Sequence, residues 1–233
     1  MTFKTAEEAK NPNIEKMGNQ LGEIYSALWQ EVAVLHFDWH EYVELFGAKT
    51  ARVDPMNATA SRFFRLLQDR LWETTLLHLA RLTDPAESPG KGGGRTNLTI
   101  KAFPDLIDDA ALKERVTKLA DEAGNRTEFA RDWRNRHIAH RDLKLVLEQA
   151  TTPLAAATRE DVKKAVSTIA ADLNEVAAHY TDSQTAFEHV AGPLGGAVSL
   201  LYVLGIGARA KEQRAERLLA GKQTAEDMVI YDV

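Results

Sequence analysis

The sequence reads LGEIYSALWQEVAVLHFDWHEYVELF from Leu21 to Phe46, and this stretch decides the fold. Its large apolar residues follow one another at alternating intervals of four and three residues. They are Leu21, Tyr25, Leu28, Val32, Leu35, Trp39, Tyr42 and Phe46. A repeat that averages about 3.5 residues indicates an amphipathic α-helix packed along a partner helix at a shallow angle. Gly47 is expected to end this helix, because glycine favours helix C-termini.

The rest of the chain predicts further helices and no convincing strand. After a break at Asp54-Pro55, the helices are expected over Thr59–Leu82, Asp109–Ala123, from Thr127 through the segment RNRHIAHRD, over 158–180 and over Gly196–Ala220. With the first helix this makes six. Phe63 and Phe64 are placed on the apolar face of the predicted helix Thr59–Leu82. The segment ESPGKGGGRTN, which follows that helix, is predicted to be a loop. Thr158 with Asp161 is typical of a capping box at a helix start. We therefore predict the all-α class, in a helical bundle.

Composition and length favour one folded domain. The 233 residues are 44% hydrophobic and 27% charged, which is ordinary for a globular protein. We expect a single domain over 1–233, with a core over 12–148 and additional long helices over 158–220 packed on it. The absence of cysteine excludes disulfides and thiolate chemistry, and the start MTFKTAEEAK lacks a secretory signal, so we expect a cytoplasmic protein. The uncharged run from Val190 to Ala208 is expected to be a buried core helix after a Gly/Pro turn rather than a membrane span.

Two motifs that could bind a ligand are weak. The segment GKGGGR has its lysine before the glycines and no preceding strand, so a surface loop is favoured over a phosphate-binding loop. His36, His40 and Glu44 recur every four residues and could share a metal with His78. None of the seven histidines follows a glutamate by three residues, as in carboxylate-bridged metal bundles. We expect structural or surface roles for His36, His40 and Glu44, a core position for His78, and neither a metal nor a cofactor.

The segment RNRHIAHRD carries the strongest chemical signal. The net charge of the chain is −5, yet the interval from Arg126 to Lys144 holds six basic residues and three acidic ones. Arg134 is a permanently charged planar donor suited to phosphate oxygens. His140 supplies an imidazole, whose proton exchanges near neutral pH. A base that removes a ribose 2′-OH proton and a cation that stabilises charge on phosphate oxygens suffice for RNA cleavage without a metal. A polar helix end with cations favoured by the helix dipole explains the same residues equally well.

The spacing restricts how this pair could act together. Arg134 and His140 lie six positions apart, so on one regular helix their side chains point about 120° apart. Either the helix breaks between them, or a second copy of the segment completes the site across a two-fold axis.

Arg134-Asn135-x-x-x-Ala139-His140 resembles the signature of the HEPN superfamily (higher eukaryotes and prokaryotes nucleotide-binding domain). The signature is an arginine, often followed by a polar residue, with four to six residues before a histidine; here five intervene. The wider pattern resembles the abortive-infection AbiU-like branch. The matching segments are LWQEV near Trp29, YVELF at 42–46, RLTDP from Arg81, NLTI from Asn97, and RNRHIAHRD.

The resemblance implies an HEPN-like four-helix bundle with additional helices, and a homodimer. Many members are metal-independent endoribonucleases of toxin–antitoxin or phage-defence (abortive infection) systems, and others are catalytically silent dimerisation or nucleotide- and partner-binding modules. The resemblance implies that Arg134 stabilises the phosphate and that Asn135 orients the substrate or the histidine. It implies that His140 acts as the base or the acid. The other cations expected to contact RNA or phosphate are Arg131, Arg136, His137 and Arg141. An RNA substrate and an antitoxin protein are the expected partners, and no membrane is expected.

Overall fold

The computed structural model describes residues 6–47, 49–89, 94–149, 152–189 and 195–229. The α-helices, in chain order, are α1 (Ala6–Met17), α2 (Asn19–Tyr42), α3 (Thr50–Leu82), α4 (Ala110–Arg126), α5 (Glu128–Trp133), α6 (Leu143–Val146), α7 (Arg159–Thr181) and α8 (Ala197–Leu219). Two π-helical turns follow α2 and α5, over Val43–Gly47 and Arg134–Ile138. Single 3₁₀ turns occur at Ile100–Ala102, Pro104–Leu106, Phe187–His189 and Glu226–Met228. The all-α prediction is confirmed.

The only sheet among the described residues is a minimal hairpin. Strands β1 (Glu87–Ser88) and β2 (Arg95–Thr96) pair antiparallel, with Glu87 opposite Thr96. They lie at the two ends of the segment predicted as a loop, whose residues 90–93 fall outside the described residues.

The chain divides into two compact units. The first consists of Met1–Trp39 and Trp72–Val190, and the second of His40–Leu71 and Ala191–Val233. The single domain with a core over 12–148 stays a prediction. Helix α7 supplies several fully buried residues to the main core of the first unit.

The core of the first unit forms where the apolar seam of α2 meets the later helices. Leu28, Val32 and Leu35 are completely buried, as their spacing predicts. Helices α4 and α7 pack together in the same core, and Arg115 on α4 pairs with Glu175 on α7 at 2.5 Å. Burial of these apolar faces is the main source of stability, since removing apolar surface from water contributes about 25 cal/mol per Å².

Local capping signals place two helix starts correctly. Thr158 accepts a hydrogen bond from the amide of Asp161, whose carboxylate accepts one from the amide of Thr158, so the predicted capping box begins α7. Asp109 caps α4 by accepting from the Leu112 amide at 2.7 Å. Such caps satisfy amide groups that have no partner within the helix.

The predicted break at Asp54-Pro55 is wrong. Helix α3 begins at Thr50 and continues through Pro55, and its one non-helical residue is Ala60, at φ −154° and ψ 61°. The proline removes a single amide donor, and the helical residues around it override that local bias. The interruption therefore falls five residues later than its sequence signal.

The second unit has a small core and an exposed helix. The buried apolar residues of its core cluster are Leu45, Met56, Phe64 and Ala197. The expectation that Phe63 faces inward is wrong, since this side chain is 57% exposed. The uncharged run from Val190 to Ala208 is predicted to form a buried helix. This prediction is wrong for residues 195–208, and residues 190–194 lie outside the described residues. Ala197 is the only buried residue of α8, because a thin core covers one narrow side of the helix. Among the described residues, no helix combines the length and apolarity needed to cross a membrane.

Candidate functional site

The segment RNRHIAHRD lies where a helix ends. Helix α5 passes directly into the π-helical turn Arg134–Ile138, whose wide hydrogen bond runs from the Ala139 amide to the Arg134 carbonyl at 2.8 Å. The chain then bends, and the Asp142 amide donates to the Arg136 carbonyl at 3.0 Å. Regular helix therefore stops between Arg134 and His140, which is one of the two arrangements that the spacing allowed. π-helical turns are rare and occur frequently at functional sites.

Arg134 is fixed at two of its three nitrogens. Its Nη1 donates to the Asp84 carboxylate at 2.5 Å, and its Nε donates to Oδ1 of Asn135 at 3.0 Å. The Arg134 and Asp84 side chains are 22% and 19% exposed. Within the described part of the chain, Nη2 has no hydrogen-bond partner. The guanidinium thus keeps a donor group available for an anion.

Asp84 itself belongs to a well-fixed segment after α3. The hydroxyl of Thr99, which is completely buried, lies 2.8 Å from the Asp84 carbonyl and 2.9 Å from the Leu82 carbonyl. Asn97 donates from its side chain to the Pro85 carbonyl at 2.7 Å. The segments RLTDP and NLTI, which contributed to the family resemblance, are therefore in contact and hold the partner of Arg134.

His140 and Arg141 face solvent. Both are exposed, and neither has a hydrogen bond or an ion pair with the residues that the structure describes. Asp142, the next residue, accepts from the amides of Lys144 and Leu145 and so caps the short helix α6. The capped start of α6 fixes the backbone that follows the histidine. His140 is accordingly an accessible imidazole on an ordered chain segment.

Arg131 makes internal contacts. Its Nη1 donates to the hydroxyls of Thr83 and Thr127, each at 3.0 Å, and its Nη2 donates to the Gly124 carbonyl. Burial lowers the pKa of this guanidinium from its ordinary value, while the nearby carboxylate of Asp84 opposes that shift. These contacts tie α5 to the ends of α3 and α4, and the predicted phosphate-binding role of Arg131 stays a prediction.

Arg136 also has internal partners. Its two Nη groups donate to the carbonyls of Pro153 and Thr152 at 3.2 and 2.5 Å, and its Nη1 lies 3.3 Å from the Asp132 carboxylate. Asp132 in turn accepts from the Ala155 amide at 2.8 Å. Arg136 and Asp132 thereby attach the segment preceding α7 to α5. A role in phosphate binding for Arg136 also stays a prediction.

His137 combines packing with an ion-pair contact. Its Nε2 lies 3.5 Å from the Glu73 carboxylate of α3, and its ring meets that of Trp133 edge to face at 5.4 Å. The side chain is 26% exposed. It therefore packs against Trp133 and Glu73 and remains partly accessible to solvent.

The histidines of α2 and α3 show no metal site. Among the described residues, no group of three or more His, Cys, Asp or Glu side chains could hold a metal ion. His36 is buried and stacks on Phe187, and burial lowers its pKa to about 4. His78 contacts Glu31 at 2.9 Å, so it is a core histidine with a carboxylate partner. Glu44 instead pairs with Arg52 at 2.5 Å.

Sequence reasoning missed the two carboxylates that contact the motif. Asp84 was part of the RLTDP segment, but nothing local signals that it meets an arginine fifty residues later. Glu73 lies within α3, whereas Asp84 follows the last residue of that helix, Leu82, by two positions. Helical spacing therefore does not relate the two carboxylates, and the sequence offered no local signal for either contact.

These features define an all-α fold of HEPN type whose Arg-His signature lies at a helix end. Comparison with family models gives a match to HEPN_AbiU2, described as AbiU2, over residues 18–199. The chain belongs to this family. The match spans more than three quarters of the 233 residues, from just before α2 to the first turn of α8. Neither the curated proteins nor the solved structures contain a significant match to the chain.

Proposed function

We propose that the protein is a metal-independent HEPN endoribonuclease. The observation that carries this proposal is the pair of groups beside the helix break: Nη2 of Arg134, at the start of the π-helical turn, has no hydrogen-bond partner among the described residues, and His140, two residues after that turn ends, is exposed. A fixed guanidinium and an accessible imidazole are the two groups that cleavage of RNA by its own 2′-OH requires.

The proposed reaction is an internal transesterification. The 2′-oxygen of a ribose bonds to the adjacent phosphorus, and the bond from phosphorus to the 5′-oxygen breaks. The 2′-OH proton passes to His140, and the 5′-oxygen receives a proton from the protonated imidazole or from water. Arg134 donates from Nη2 to the phosphate oxygens, where negative charge increases in the transition state. Arg141, exposed next to His140, would contact a neighbouring phosphate of the strand.

The biological setting is proposed from the family. We infer an RNA-cleaving toxin or abortive-infection effector, which acts as a homodimer and is restrained by an antitoxin protein. A second protomer would bring another Arg134 and His140 into the same cleft, as an isologous interface does.

A catalytically silent dimerisation or nucleotide-binding module is the second candidate. The pairing of Arg134 with Asp84 at 2.5 Å favours it, because this contact neutralises part of the charge that a phosphate would otherwise meet. Cleavage distinguishes the two candidates.

The test is cleavage of labelled single-stranded RNA by purified protein in EDTA. We expect products that end in 2′,3′-cyclic phosphate, and no product from a strand with 2′-deoxyribose at the cleaved position. Arg134→Ala and His140→Ala should each lower the cleavage rate strongly and leave only a small residual rate. Arg126→Ala, on the exposed Arg126–Glu122 pair, and His179→Ala, at an exposed histidine of α7, serve as matched controls and should cleave like wild type. Cleavage by the Arg134→Ala, His140→Ala double variant at the wild-type rate would refute the proposal.

A further inference from the structure

We infer that Asp84 is a positioning residue that sets the direction in which Arg134 donates to phosphate; this inference rests on the proposed function. The two residues lie fifty positions apart, yet the Asp84 carboxylate accepts from Nη1 of Arg134 at 2.5 Å. Asp84 touches no reacting atom in this arrangement. It acts through the arginine.

The geometry leaves one set of donors for the substrate. Arginine has five N–H donors in a rigid planar fork. Asp84 takes one from Nη1 and Asn135 takes the one on Nε, so hydrogen bonds at two different edges of the planar group stop the guanidinium from turning. Nη2, which lies between them, then points its hydrogens in a fixed direction. Preorganised donors of this kind stabilise developing charge better than donors that must reorient.

Asp84 can act this way because its own backbone is held. Thr99, completely buried, places its hydroxyl within 2.9 Å of the Leu82 carbonyl and 2.8 Å of the Asp84 carbonyl. The neighbouring Thr83 hydroxyl contacts that of Thr127 at 2.7 Å. The carboxylate therefore projects from a chain segment that is fixed on both sides, unlike the carboxylate of an exposed ion pair.

Burial makes the contact effective. About four fifths of each side chain is removed from solvent, so water and salt screen this pair less than an exposed one. Asp69 on α3 provides the comparison, since it pairs with Arg65 one turn away at 3.3 Å and both side chains are more than half exposed. An exposed pair of this kind contributes little to stability.

The experiment is a double-mutant cycle of RNA cleavage. Asp84→Asn keeps the size of the side chain and removes its charge. We expect kcat to fall about 100-fold, as a small misplacement of a catalytic group does, with little change in KM. In an Arg134→Ala background, the residual rate should be the same with and without Asp84→Asn, because a residue that acts through Arg134 has nothing left to position. Asp69→Asn is the matched control and should leave kcat unchanged.

Two outcomes overturn the inference in an active enzyme. In the first, the Asp84→Asn variant has the wild-type kcat. In the second, Asp84→Asn lowers kcat in the Arg134→Ala background by the same factor as in wild type, which would indicate a merely structural role. If Asp84→Asn does not fold, Thr99→Val takes its place. It removes the hydroxyl that holds the Asp84 carbonyl. It should lower kcat by a smaller factor than Asp84→Asn does, without raising KM. In the Arg134→Ala background, Thr99→Val should not lower kcat further.

A spectroscopic measurement decides the inference if wild-type protein does not cleave RNA, a result that would refute the proposed function alone. In ¹⁵N NMR of the arginine side chains, the Arg134 signals are assigned by their loss in Arg134→Lys. We expect slow rotation about the Nε–Cζ bond in wild type and fast rotation in Asp84→Asn. Equal rotation rates in the two proteins would overturn the inference.

Discussion

Asp172 is a buried carboxylic acid whose replacement tests how much an unpartnered polar group lowers the stability of the first unit. It lies in the middle of α7, is 0% exposed, and neither carboxylate oxygen has a hydrogen-bond partner among the described residues. Burial raises the pKa of this carboxyl well above its ordinary value, and the negative charge of Glu175 adds to the shift. We predict that Asp172→Leu stabilises the first unit.

The magnitude follows from two costs. A buried polar group without a partner costs about 1–3 kcal/mol. A buried ionised carboxylate costs more, so the folded protein binds a proton at Asp172 instead. The free energy of unfolding of Asp172→Leu should therefore exceed that of wild type by about 1–3 kcal/mol at acidic pH, where the carboxyl is protonated in both states, and by more at neutral pH. For a chain of this size, each kcal/mol corresponds to about 2–4 °C in Tm.

The pH dependence has a definite sign. The carboxyl binds its proton more tightly in the folded state than in the unfolded state, where its pKa is about 3.9. Its contribution to stability is therefore fully present below that unfolded pKa and is lost as the pH rises through the raised folded pKa. Between the two values, wild type should lose about 1.4 kcal/mol per pH unit from this group. Asp172→Asn cannot ionise and should lack that slope.

Urea denaturation followed by tryptophan fluorescence is the assay. All four tryptophans, Trp29, Trp39, Trp72 and Trp133, belong to the first unit, so the signal reports the unit that contains Asp172. Asp121→Asn, at an exposed carboxylate of α4, is the control and should retain the wild-type slope. Lower stability of Asp172→Leu at neutral pH, or equal slopes for Asp172→Asn and wild type, would refute the reasoning.

Two substitutions test the packing and capping of α2 and α8. Gly22→Ala should lower the free energy of unfolding by about 1–3 kcal/mol in urea denaturation followed by far-UV circular dichroism, which reports the helices of both units, because a Cβ there would lie 2.7 Å from backbone atoms of Ile14. Gly205→Ala, which meets open space on α8, should not destabilise, and equal losses for both glycines would contradict the packing argument. Glu41→Ala removes the carboxylate that accepts from the Ala197 amide at 2.6 Å, a contact worth about 1 kcal/mol at a helix start. Amide hydrogen exchange in the first turn of α8 should then accelerate, and unchanged exchange would show that the cap is dispensable.

Local signals predicted the helices well where they agreed with packing. The four-three spacing of α2 identified Leu28 and Val32 as core residues, and Thr158 with Asp161 located the start of α7. These features depend on neighbours within one or two helical turns, which a sequence displays directly.

Features that depend on distant contacts were not predictable in this way. The break at Ala60 carries no sequence signal of its own, because alanine is the strongest helix former. The site was predicted as a set of cations, yet Arg131 and Arg136 make internal contacts while Asp84 contacts Arg134. Which cations remain available depends on acceptors brought together from other parts of the chain, and one sequence does not reveal those pairings.

The π-helical turn at 134–138 has a consequence for the length of the spacer in the Arg-His signature. Such a turn closes with a hydrogen bond across five residues, where an α-helical turn needs only four, so it takes up one additional residue within a single loop of the helix. A homologue with a spacer one residue shorter could form an ordinary α-helical turn and still leave the helix at an equivalent point. The choice between a π-helical and an α-helical turn would then accommodate a difference of one residue in the spacer, and the histidine would keep the same position relative to the end of the helix.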